Sequence, residues 1–199
     1  TEAVRKALEA DEPEKARAIA ARIKDRKNYA YLLEEIESAI PLAKARRGDL
    51  AEVRKMLGGL KTAYERVAVL TELASALAAK GETETAKKLL EEALQMLFTT
   101  TVNQKGLESA GKIAAVYSIA APEHAFTIVE IGIEEMNSYI DAGIKLDEFY
   151  DFGSLEEGEL LYGSMNRQLL LHLPNSTALL KNLARADFER TVRLADRFG

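Results

Sequence analysis

Residues 62–97, TAYERVAVLTELASALAAKGETETAKKLLEEALQML, carry two apolar stripes separated by a glycine, and this pattern leaves few folds open. Val67, Leu70, Ala74 and Leu77 make the first stripe; Ala86, Leu89, Leu90, Ala93, Leu94 and Leu97 make the second. Both have the i, i+3, i+4, i+7 spacing of a helix that buries one face. Gly81 lies between them and can take the left-handed conformation that ends a helix. The spacing therefore predicts an antiparallel helical pair whose apolar faces meet.

The second half of this unit recurs along the chain. PEKARAIAARI from Pro13, GDLAEVRKMLGGL from Gly48, GETETAKKLLEEALQML from Gly81, PEHAFTIVEIGI from Pro122 and DFERTVRLADRF from Asp187 each open with a turn or cap signal and run into an apolar stripe. Their equivalent positions are Ala16, Val53, Ala86, Ala125 and Thr191, which lie 37, 33, 39 and 66 residues apart. A period in the thirties marks stacked helical hairpins, and the long last step marks an insertion. The first helices agree as well, since YAYLLEEIESA (29–39) aligns without a gap on RVAVLTELASA (66–76). Proline removes a helical hydrogen bond and clashes with the preceding turn, so Pro41 predicts a kink or break. Asp49 with Glu52, and Thr101 with Gln104, fit the capping box. The second of these would start a helix with Leu107, Ala110, Ile113, Ala114 and Tyr117 on one face, leaving the β-branched run before it as a connection.

These signals predict an all-α chain of helical hairpins packed as a short right-handed α-solenoid. Residues 1–142 would form the hairpins, 143–175 an irregular insertion and 176–199 a last partial repeat, all within one continuous domain. In the central unit Leu70, Leu73, Ala74, Leu77, Gly81, Ala86, Leu90 and Ala93 stand at the packing positions of tetratricopeptide-type repeats, and the chain resembles that family. Ala74 replaces the family's usual glycine, Phe98 its closing proline, and the chain has no tryptophan. The resemblance implies close helix approach at Ala74 and Ala86, and a scaffold that binds proteins or peptides on a concave face. Leu70, Leu77, Leu90 and Val129 are expected in the core.

The absence of cysteine excludes a disulfide framework and any Cys-ligated zinc or iron–sulfur site, and is compatible with cytosol or periplasm. Thr1 opens directly on a helical pattern and Gly199 follows an amphipathic run without a polar closing helix, so the chain reads as a fragment of a longer protein. No run approaches the roughly 18 apolar residues of a membrane span. His124 and His172 are the only histidines, and neither has a carboxylate at zinc-ligand spacing on a helix. The carboxylate pairs Glu134/Glu135, Glu156/Glu157 and Asp147/Glu148 are adjacent in sequence, point apart on a helix, and read as solvated surface rather than acid–base pairs. No phosphate-cradling or nucleophile-elbow glycine pattern occurs. Asn175, Ser176 and Thr177 match a glycosylation sequon. The chain is thus expected to be non-enzymatic, without metal or cofactor.

Charge is distributed unevenly. The net charge is −5, yet residues 121–162 alone hold eleven acidic side chains and one basic one. Such a block opposes nucleic-acid binding, which needs a basic face. It nominates Glu130 and Glu134, on one helix face by their i, i+4 spacing, with Asp147, Glu148, Phe149, Tyr150 and Asp151 as partner-binding residues. Acidic groups would speed encounter with a basic or amphipathic protein or peptide, and the aromatics would supply buried contact area. Three rival readings stand beside this one. The aromatics could pack inward to anchor a loop; a small-ligand or enzyme pocket between the solenoid and the insertion could use Tyr150, Tyr162, His172 or the acidic cluster; or the chain could be a structural part of a longer protein with no site of its own.

Overall fold

A computed structural model describes residues 2–99, 103–150, 155–156, 159–160 and 176–197. Among the described residues the chain is all-helical apart from one two-residue ladder. The helices are α1 (Glu2–Glu9), α2 (Pro13–Ala20), α3 (Arg26–Arg46), α4 (Leu50–Leu57), α5 (Ala63–Ala79), α6 (Thr83–Phe98), α7 (Gln104–Ala120), α8 (Pro122–Tyr150), α9 (Ser176–Ala186) and α10 (Phe188–Asp196). The ladder pairs β1 (Leu155–Glu156) with β2 (Glu159–Leu160) antiparallel, Leu155 opposite Leu160. The chain divides into two compact units, Thr1–Ala93 and Leu94–Gly199. The boundary falls inside α6.

Three turns of one kind organise the first unit. Asp11, Gly48 and Gly81 have φ of 58°, 75° and 83°. In each turn the next residue's N–H reaches back five positions: Glu12 to Ala7 O (2.9 Å), Asp49 to Lys44 O (3.1 Å), Glu82 to Leu77 O (2.9 Å). These are Schellman closures, which satisfy carbonyls that a helix end leaves open. Five residues after each turn residue comes a fully buried side chain, Ala16, Val53 or Ala86. The turns are also linked to one another. The Arg47 guanidinium donates to Asp11 O (2.9 Å), Arg46 to the Asp11 carboxylate (3.0 Å), and the Lys80 ammonium to Arg47 O (2.8 Å). Arg47 and Lys80 each meet a carbonyl at a helix C-terminus, the negative end of the helix dipole.

Packing in this unit runs between near neighbours in sequence. α1 lies on α2 and α3, α2 on α3, and α3 and α4 on α5. Val4, Ala7, Ala16, Ala20, Leu32 and Ile36 form one buried cluster. Leu70, Leu73, Leu77, Leu89 and Leu90 are buried further along. Ala74 and Ala86 are fully buried, but the most extensive backbone contact in this unit is of α1 with α2, α2 with α3 and α3 with α5, not α5 with α6.

The glycine turns give a paired test. A Cβ at Gly81 would meet nothing within 4 Å, so Gly81→Ala should cost only the left-handed backbone penalty of about 1–2 kcal/mol. A Cβ at Gly48 would sit 2.6 Å from Lys80 Nζ and displace that ammonium from Arg47 O. Gly48→Ala should therefore lower stability more than Gly81→Ala in urea unfolding. Equal losses would mean that the Lys80 contact contributes nothing.

The second unit turns differently. Ala121 (φ −159°, ψ 80°) joins α7 to α8 and Asp187 (φ −153°, ψ 97°) joins α9 to α10, each as a single extended residue. Their N–H groups close on Tyr117 O (2.7 Å) and Leu183 O (2.8 Å). Pro122 begins α8 where a missing N–H costs nothing, and the Asp187 carboxylate caps α10 by accepting from Arg190 N at 2.9 Å. α7 lies against α8, and α9 against both. Ile113, Ala114, Tyr117, Ala125, Phe126 and Leu183 are buried, and Asn182 Nδ2 donates to Ser118 Oγ at 3.0 Å.

Several sequence expectations change here. α3 is continuous through Pro41, whose ring is buried, so no break occurs. Helix α8 does not end near 142 but runs to Tyr150, placing the first eight residues of the expected insertion in a helix. Gly143 does not interrupt it, because one glycine costs a helix only about 1 kcal/mol and IKLDEFY sustains the pattern beyond it. α7 is capped by Asn103, accepting from Gly106 N at 3.0 Å; Thr101 lies outside the described residues. Asp49 caps α4 at 3.2 Å, but the Glu52 carboxylate binds Lys55 at 2.6 Å, so only half of that box forms. The full box is Thr62 with Glu65, at 3.1 and 3.0 Å. Val129 is half-buried; Phe126 and Ile133 take the core positions of α8.

Candidate interaction surface

The apolar stripes of α6 and α7 outrun what the second unit buries. On α7, Ile113, Ala114 and Tyr117 are buried, while Leu107 and Ala110, a turn or more toward the N-terminus, are half-buried. On the last turn of α6, Leu94 is half-buried and Phe98 is 72% exposed. Leu94, Phe98, Leu107 and Ala110 line a cleft of about 190 Å³ with Ile128, Ile131, Gly132 and Glu135 of α8. Ile131 is 44% exposed, and a Cβ on Gly132 would meet nothing within 4 Å. Among the described residues of the lining, Glu135 is the one ionisable side chain. Such a surface can take up an apolar side chain and release its hydration water, with a carboxylate at hand to pair a cation.

Glu130 has a different role from the one its spacing suggests. Arg190 of α10 reaches it with two nitrogens, Nε to Oε1 at 3.2 Å and Nη2 to Oε2 at 3.3 Å, and Nη1 donates to Glu123 Oε2 at 2.7 Å. The same guanidinium lies 4.4 Å from the Phe126 ring centroid, a cation–π geometry. The hydrogen bond to Glu130 is the largest cause that raises the Arg190 pKa; burial opposes it and the charges of Glu130 and Glu123 add to it, so the cation is held firmly. Glu130, with its side chain 26% exposed, is therefore an internal ion-pair partner. Sequence spacing could not show this, because Arg190 lies 60 residues away.

The other nominated residues divide. Glu134 is exposed on α8 as expected. Phe149 is 79% exposed. Asp147, Glu148 and Tyr150 lie in the last turn of α8, and Asp151 lies outside the described residues, as do Tyr162 and His172. His124 is exposed and stacks on Tyr117, centroids 5.1 Å apart and planes 14° apart, which gives it a packing role at the α7–α8 turn. The cleft residues of α6 and α7 were legible as stripes; their shared surface was not. Among the described residues no group of three or more acidic or histidine side chains could hold a metal, and no helix is long and apolar enough to cross a membrane. Comparison with protein-family models, with curated proteins and with solved structures found no match.

Proposed function

We propose that the chain is a non-enzymatic helical-repeat module of tetratricopeptide-like kind that binds a protein or peptide, with the cleft of the second unit as its binding surface. The observation that carries this reading is the lining of the cleft: among the described residues, nine apolar or glycine residues and a single carboxylate, with Phe98 and Ile131 exposed at its edge. A lining of that composition favours desolvation of an apolar anchor rather than proton transfer. The repeat reading draws support from the first unit. Its three Schellman turns stand 37 and 33 residues apart, the spacing of the buried Ala16, Val53 and Ala86, and helices there pack on their next and next-but-one neighbours, as in stacked hairpins.

Gly132→Leu tests this without weakening the fold. Leucine is a better helix former than glycine by roughly 0.8–1 kcal/mol, and its side chain would project into the cleft. The variant should melt at or above the wild-type temperature. Peptides selected against the wild-type chain from a random library should bind it at least about tenfold more weakly, a loss of about 1.4 kcal/mol. Selected peptides that bind both forms equally would remove the cleft from the proposal.

A further inference from the structure

The cleft is one end of a longer seam on α8. Ile128, Gly132 and Glu135 line it. Continuing at alternating steps of four and three residues, the same helix face carries Tyr139, Ala142, Leu146 and Phe149. Tyr139, Leu146 and Phe149 are 41%, 55% and 79% exposed. Steps of four and three repeat every 3.5 residues on average, which is the spacing of a coiled-coil seam, and from Ile128 to Phe149 it spans about 32 Å of helix. Beside it, positions 134, 141 and 148 carry Glu, Asp and Glu, one heptad apart. All of α8 holds seven acidic residues against one lysine, and Arg190 engages Glu123 and Glu130.

We infer that this seam, cleft and stripe together, seats an amphipathic helix of another protein, laid along α8 with its apolar face at heptad spacing and lysine or arginine on its flank. The inference rests on the interaction reading above and names the partner class. Charge selects the occupant. A second copy of this chain would bring Glu134, Glu135 and Asp141 against their own counterparts, and like charges along paired helices repel. A cationic flank instead meets the carboxylate row, and the cation nearest the cleft meets Glu135, already half-buried among apolar groups.

The probe is a labelled synthetic helix of about three heptads, leucine at the two seam positions and lysine or arginine on the flanks. Two controls accompany it: a scramble of the same composition and a copy with glutamate in place of the cations. Anisotropy titrations at about 50 and 300 mM salt compare all three on the full chain, since exposed charge pairing weakens with screening. The cationic helix should bind at least about tenfold more tightly than either control and more weakly at the higher salt. Gly132→Leu and Leu146→Lys, both checked for helicity, should each weaken it at least about tenfold, one at each end of the seam. The triple change Glu134→Lys, Glu135→Lys, Asp141→Lys should shift preference toward the glutamate helix. Equal binding of the scramble would reduce the effect to bulk charge and overturn the inference. So would a wild-type dimer in sedimentation equilibrium that Leu146→Lys dissociates, because the seam would then belong to a second copy. If library-selected peptides bind and lose affinity with Gly132→Leu while the cationic helix does not compete, the cleft stands and the occupant named here is wrong. If neither binds, both readings fall.

Discussion

Phe126→Ala should destabilise the protein by about 3–5 kcal/mol, the usual range for deleting a fully buried aromatic ring. The size follows from what the ring touches. Phe126 lies on α8 at the α7–α8–α9 core, and its outer face supports the Arg190 guanidinium at 4.4 Å. Truncation therefore opens a cavity and also removes the surface over which Arg190 pairs with Glu130 and Glu123. Phe126→Leu separates these effects, because it keeps most of the volume and loses the ring. It should cost clearly less than alanine, with roughly 0.5–2 kcal/mol of its loss assignable to the cation–π contact. Making Phe126→Leu in an Arg190→Met background should abolish that last portion, which a double-mutant cycle in urea unfolding reads directly. A Phe126→Ala loss below about 1 kcal/mol would mean that the α8 core does not pack as described.

In the first unit the largest effect is expected at Leu90. Leu90→Ala removes a fully buried side chain from α6, and the cost should be about 2–5 kcal/mol depending on how far the site collapses. Leu94→Ala, one turn further along the same stripe, is the internal control. Leu94 is half-buried at the cleft, so its truncation should cost less in stability and weaken peptide binding instead. Equal stability losses at the two positions would contradict the division of the α6 stripe between core and surface.

The sequence by itself determined the helices and most of their punctuation. Periodicity located α4, α5, α6 and α7, glycine marked the turns at Gly48 and Gly81, and Asp49 and Asp187 were readable as caps. Helix formation depends on contacts within about four residues, so these features are local. The equivalence of Ala16, Val53 and Ala86 was legible for the same reason, since each follows its turn by the same five residues. Local logic also overreached. Pro41 predicts a kink or break because proline is unfavourable inside an isolated helix, and the stretch from 143 reads as irregular. Tertiary packing around a 21-residue and a 29-residue helix outweighs penalties of a few kcal/mol and about 1 kcal/mol. The third left-handed turn went unread because an aspartate, Asp11, occupies it in place of a glycine.

Only the tertiary structure decided which parts of each stripe are core and which are surface. Leu107, Ala110 and Leu94 have the same spacing as their buried neighbours, yet they line a cleft because nothing described in the fold covers that end of α6 and α7. It likewise decided the fate of the acidic block. Glu130 and Glu134 are one turn apart and look alike in sequence; one is bound by an arginine 60 residues away and the other is exposed. Burial and ion pairing are set by which helices meet, and that depends on contacts between distant residues that no single-helix pattern encodes.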